Sequence, residues 1–201
     1  GGRKMKSLKE DFSLMSSLLI PVAVAINFTG FTIAKMLNVP LFLDSIGTVF
    51  ISLLAGPWVG SVAAIITSVI TGGLAPENLA FIPVGILIAV VMGTLTRFKM
   101  KNYVVKIVVC TLILAIVSIS SSTLITILMY GGITPNATGV LTSFFVKQGI
   151  SLKVAATLSN FISEIGDKVI TVVIAMLIVK SMSDRYLIKF KHGENYIHGT
   201  K

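Results

Sequence analysis

The chain alternates long uncharged stretches with short polar breaks. Phe12 to Ala34 carries no charged residue, and at 1.5 Å per residue a helix there reaches about 34 Å, enough for a hydrocarbon core of about 30 Å. Lys35 and the Asn38-Val39-Pro40 turn end it. Leu41–Ala55 and Pro57–Thr71 follow as two short apolar segments, divided by Gly56-Pro57. The proline suits the first turn of a helix, where its missing N–H costs nothing. Residues 72–78 are a loop by their Gly and Pro content. Leu79–Leu95 and Tyr103–Tyr130 are the fourth and fifth apolar segments. Residues 131–150 hold Gly131, Gly132, Pro135, Asn136 and Gly149, with a short helix expected over Leu141–Lys147. The last helix is expected to start at Ser151 or Ser159 and run to Met182. The pattern predicts an all-α integral membrane protein of six transmembrane helices, the second and third of them short.

Composition supports that class. Hydrophobic residues make up 54 % of the chain and charged residues only 12 %, about half the roughly 25 % of a globular protein. Mean hydropathy is +0.94. The net charge of +9 would suggest nucleic acid in a soluble protein, but thirteen of the 17 Lys and Arg flank apolar segments, at 3–9, 97–106 and 180–201. Lys35, Lys147 and Lys153 are the only ones in the alternate loops. This bias puts both termini in the cytoplasm. The expected organisation is a basic cytoplasmic N-terminus over residues 1–11, with residues 1–4 ahead of Met5 reading as a tag remnant. A membrane domain over 12–182 follows, with an outer loop at 131–150, and then a polar cytoplasmic tail over 183–201 that frays. His192 and His198 sit in that tail and are expected to be inert. Cys110 is solitary and apolar in context, without a disulfide or metal role. No P-loop or HExxH spacing occurs, so neither ATP hydrolysis nor a metal site is expected of this chain.

Charged residues within apolar segments are costly and are candidate functional groups. Glu164, Asp167 and Lys168 stand at i, i+3 and i+4 of the last helix, with Asn160 one turn further out on the same face. They read either as a ligand-binding cluster, as a Glu164–Lys168 pair that fastens the helix, or as interfacial residues. Asp44 is expected one turn into the second segment, capping that helix or meeting a ligand. Glu77 and Asn78 precede the fourth segment, placed both to cap it and to line an outer opening. Tyr130 is one of several aromatics expected toward the outer side, where they suit a flat heteroaromatic solute. Ser118, Ser120, Ser121, Ser122, Thr123 and Thr126 bend or soften the fifth helix, or else wall a polar cavity. Gly56, Gly60, Ala64, Ser68 and Gly72 recur every four residues, a row that lets another helix approach closely, inside the chain or on a partner.

Leu43-Asp44-Ser45-Ile46-Gly47-Thr48, Leu54-Ala55-Gly56-Pro57-Trp58-Val59-Gly60 and Glu164-Ile165-Gly166-Asp167-Lys168, within six apolar segments, resemble the substrate-binding S component of energy-coupling factor (ECF) vitamin transporters. The likeness covers roughly residues 12–182. It implies a multi-pass protein of the bacterial plasma membrane that captures a micronutrient at the outer face. It further implies delivery together with a transmembrane coupling protein and two ATPases, which use ATP and Mg while this chain binds no cofactor. Residues 131–160 would be the loop that folds over the ligand. The family's first helix commonly carries an Ala-x-x-x-Ala docking surface, for which the stand-ins here are Ala25/Thr29 and Gly30/Ala34. Gly56, Gly60 and Ala64 are further docking candidates. The implied ligand is a small B-group vitamin or precursor, a vitamin B6 form or the pyrimidine precursor of thiamine being preferred. The competing readings are a stand-alone facilitator of a small solute, a structural membrane subunit, and an intramembrane enzyme, which lacks a nucleophile beside a base.

Overall fold

The computed structural model describes residues 11–100 and 102–197. Most of the basic N-terminus, with the suggested tag remnant, and His198 in the tail lie outside them. Among the described residues the regular secondary structure is all helical. The helices are α1 (Leu14–Leu37), α2 (Ile46–Ala55), α3 (Pro57–Gly72), α4 (Ile82–Leu95), α5 (Tyr103–Tyr130), α6 (Ala137–Lys147), α7 (Leu152–Ser181) and the one-turn α8 (Asp184–Leu187). Two 3-10 turns, Pro76–Phe81 and Gly193–Tyr196, complete the set. Three segments are long and apolar enough to cross a membrane: Leu14–Leu37, Pro76–Leu95 and Tyr103–Tyr130. Helix α7, at 30 residues, is longer still, but Glu164, Asp167 and Lys168 interrupt its apolar sequence. The outside is apolar where a soluble protein would be charged. Val104, Val108, Leu112 and Ile116 form an exposed stripe at four-residue spacing on α5.

Helix α2 is the hub. All ten of its residues are buried, so neither of its ends can turn to water for hydrogen bonds. Other elements satisfy them. Asn27, midway along α1, is completely buried; its Oδ1 accepts from Gly47 N (2.7 Å) and Thr48 N (3.2 Å) at the α2 N-terminus. Its Nδ2 donates to Thr48 Oγ1 and Thr67 Oγ1, both at 2.9 Å, which uses the full capacity of the amide. At the other end, the helix's own next N–H that could reach Leu53 O is missing, because residue 57 is proline. The Thr96 hydroxyl donates there instead (2.9 Å), and His192 N donates to Leu54 O (3.0 Å).

Close approach explains the small residues. A Cβ on Gly47 would sit 2.0 Å from Ala23 O, and one on Gly93 2.3 Å from Pro57 N. The four-residue row on α3 packs inside the chain. A Cβ on Gly60 would meet Ser52 Oγ and Ala89 Cβ, and the neighbour of Ala64 is Gly85 on α4. Gly56, at φ +98, is covered by the Asp11 carboxylate. Gly30 lies under the Leu43 carbonyl and Ala34 is buried. Gly30, Ala34, Gly56, Gly60 and Ala64, expected as docking residues, thus pack inside the chain. Only Ala25 and Thr29 stay on the outside.

Three boundaries also differ from expectation. Residues 38–45 form an extended connector, with Asn38 and Leu43 at positive φ, so Asp44 precedes α2 instead of lying within it. The short helix expected over 141–147 begins at Ala137, capped by Asn136 Oδ1 on Gly139 N. The tail does not fray: Leu187 and Phe190 are buried in the main apolar core, and Lys191 pairs with the buried Asp11.

A candidate ligand chamber

One end of the bundle is hollow. The cavity there has a deep part of about 60 Å³ and an outer part of about 430 Å³. Phe42, Asp44, Asn78 and Asn136 line both. Ser122 from α5 and Glu164 and Lys168 from α7 line the deep part, and Lys35, Glu77 and Thr138 the outer part. Regions distant in sequence thus converge, among them the connector, the 3-10 turn, α5, the start of α6 and the middle of α7. Thr138 and Ser163 tie α6 to α7 by hydroxyls 3.0 Å apart.

The charged centre is an interlocked set. Lys168 Nζ lies 3.1 Å from Glu164 Oε2 and 2.5 Å from Asp167 Oδ2. Glu164 Oε1 accepts from Ser122 Oγ (2.6 Å). Asp167 Oδ1 accepts from Phe42 N (3.1 Å) and Leu43 N (2.7 Å). Those two bonds hold the connector in place at the one spot where a leucine adopts a left-handed backbone, a conformation that surrounding structure must impose. Because α7 begins at Leu152, this set falls midway along the helix, deeper than a start at Ser159 would put it.

The sequence-derived site residues divide accordingly. Asp44, Glu77, Asn78, Glu164 and Lys168 line the chamber. Asp167 does not: it is fully buried behind the wall, and both of its oxygens are engaged by the connector and Lys168. Asn160 is buried on α7 and donates back to Ala156 O (3.0 Å). Tyr130 stands behind the wall as well. Its ring stacks on Phe81 at 6.2 Å, and its hydroxyl donates to Glu77 O (3.4 Å). Neither Glu77 nor Asn78 caps α4, whose N-terminus has no side-chain cap. Their place is the chamber wall.

Sequence reasoning missed Ser45 and Asn136 on that wall, and it left Phe42 among several outer aromatics and Ser122 among several hydroxyls of α5. Asn136 was read only as part of the 131–150 loop, because the helix it caps was expected to start at Leu141. Among the described residues no three His, Cys, Asp or Glu side chains converge as metal ligands. The acids here are bridged by Lys168, whose ammonium fills the place a cation would take. Comparison of the chain with protein-family models, with curated proteins and with solved structures gives no match.

Proposed function

We propose that this chain is a solute-capture subunit of a membrane transporter, of the kind its sequence resembles, an ECF S component. The observation that carries the reading is the chamber: buried charges lining a cavity at one end of an apolar helical bundle, roofed by a short helix and a 3-10 turn. Ligand sites are concave, and a few polar groups in mostly apolar walls fix orientation. In this reading α1 to α5 and α7 are six spans, with α2 and α3 too short to cross alone and completed by the elements at their ends. The chamber faces outward in a bacterial plasma membrane, and both termini lie in the cytoplasm, as the basic flanks favour. The ligand is a small B-group vitamin or precursor, of which we favour a vitamin B6 form or the pyrimidine precursor of thiamine. Transport requires a coupling protein and two ATPases with ATP and Mg.

The test is uptake in vesicles. Purified chain alone should bind but not accumulate the molecule that co-purifies with it, and accumulation should appear only with the coupling protein, both ATPases and ATP. Concentrative uptake by the chain alone would replace this reading with a stand-alone facilitator.

A further inference from the structure

The deep end of the chamber has an unbalanced charge. Lys168 stands between two carboxylates, Glu164 and Asp167, so this set carries one net negative charge when both acids are ionised. Asp44 adds a second, and among the described residues no cation lies within ion-pair distance of it. Ser45 is an independent sign of a missing occupant. It is 4 % exposed, it lines the deep part, and its hydroxyl has no hydrogen-bond partner. Buried polar groups are normally paired. Size then limits what can enter. About 60 Å³ is well under the roughly 150 Å³ of an apolar cavity that takes up benzene, so a head group fits there and an aromatic ring does not. The outer part, at about 430 Å³, is large enough for a ring, and Phe42 borders both compartments.

We propose that the ligand is a cationic heteroaromatic, presenting a protonated amine or quaternised nitrogen to Asp44 and Glu164 in the deep end while its ring occupies the outer compartment beside Phe42. This rests on the ligand-capture reading and adds the charge and the orientation of what is captured. Ser45 Oγ accepts the remaining N–H of an amine head. In the outer compartment Glu77 adds negative charge, and Lys35, the one cation there among the described residues, is drawn aside by Leu74 O (3.1 Å) and the Phe31 ring. Asp44 faces Glu164 and Lys168 across the deep end, with Asp167 behind them, and no ammonium is paired with it among the described residues. A cation therefore competes with a proton at Asp44, and its affinity should climb as pH rises and the carboxylate forms.

The experiment uses the purified full chain in detergent and three probes of one shape: 3-(aminomethyl)pyridine, 3-(hydroxymethyl)pyridine and pyridine-3-carboxylate. Thermal shift and titration calorimetry should show binding of the amine, weaker at pH 5 than at pH 7.5, and weak or no binding of the other two. Asp44→Asn should lower amine affinity about tenfold to a hundredfold without lowering the melting temperature of the ligand-free protein. Equal or tighter binding of the neutral or acidic probe, no binding of any probe, or amine affinity unchanged by Asp44→Asn would each overturn the inference. The two proposals fail separately. A neutral ligand accumulated only with the ATPases present removes the cation and keeps the transport role, whereas a cation accumulated without partners does the reverse.

Discussion

The two ends of the bundle handle buried polar groups in opposite ways. At the tail end, groups from distant parts of the chain close on one another. Thr96 Oγ1 bridges Leu53 O and the Tyr196 hydroxyl (2.7 Å), Lys106 Nζ donates to the same hydroxyl (3.0 Å), and Asn195 donates to Thr96 O (3.0 Å). Asp11 Oδ2, Ser52 Oγ, Thr111 Oγ1 and His192 Nε2 are among the buried atoms left over toward that end. At the chamber end, Asp44 has no ion-pair partner among the described residues and the Ser45 and Asn78 side chains keep unpaired buried atoms, around space instead of packed side chains. One end is built as a plug and the other as a receptacle. The difference teaches that charge alone does not mark a binding site. Lysines and acids are buried at both ends, and those of the chamber end border the cavity described above.

The largest test of that contrast is Asp167→Ala. Although it sits at the chamber end, Asp167 behaves like a tail-end group, with every oxygen committed to the protein. Its loss frees the connector and leaves Lys168 with Glu164 alone, and breaking a buried pair costs about 3–5 kcal/mol. Ligand-free melting should drop sharply. An unchanged melt combined with lost binding would move Asp167 into the receptacle. Phe190→Ala should come next. Truncating a buried aromatic costs about 3 kcal/mol at the low end of its usual range, here at the plug, so stability should fall while ligand affinity at a temperature below the melt stays as in the wild type. Reduced affinity would show that the two ends are coupled.

Gly60→Leu follows at roughly 1–3 kcal/mol, the usual cost of overpacking. The α3 row packs on α2 and α4, so the expected readout is a lower melting temperature. Unchanged stability with loss of a partner on purification would return the row to a docking role.

Much of this architecture was legible beforehand. Apolar length located α1, α4 and α5, and the Gly-Pro pair located the α2–α3 corner, because both follow from local chemistry. The acid–lysine cluster was also visible, since a charge inside an apolar run stands out in any register. What could not be read was which acid faces space. Glu164 and Asp167 are three residues apart on one helix, and only the fold of 38–45 over α7 turns one into wall and the other into a clamp. The ordered tail was hidden for a related reason. Its sequence is polar overall, and Leu187, Phe190 and Tyr196 find their sites only once α2, α4 and α5 are assembled.

The smallest effect discriminates most finely between the two ends. Thr96→Val keeps the shape of the side chain and removes one hydroxyl, which leaves Leu53 O without the donor that Pro57 cannot supply and the Tyr196 hydroxyl with Lys106 Nζ alone. A hydrogen bond of this kind contributes about 1 kcal/mol net, and more when a buried carbonyl is left unpaired. Global melting should shift only slightly. Local opening is the sharper measure, because a segment held by a few cross-element bonds opens below the global free energy. Amide exchange should therefore speed up over residues 184–197 and at the C-terminal turn of α2. Exchange in the connector and α6, around the chamber, should not change. If it rises equally at both ends, α2 transmits the loss along its length, and the plug and the receptacle are one cooperative unit.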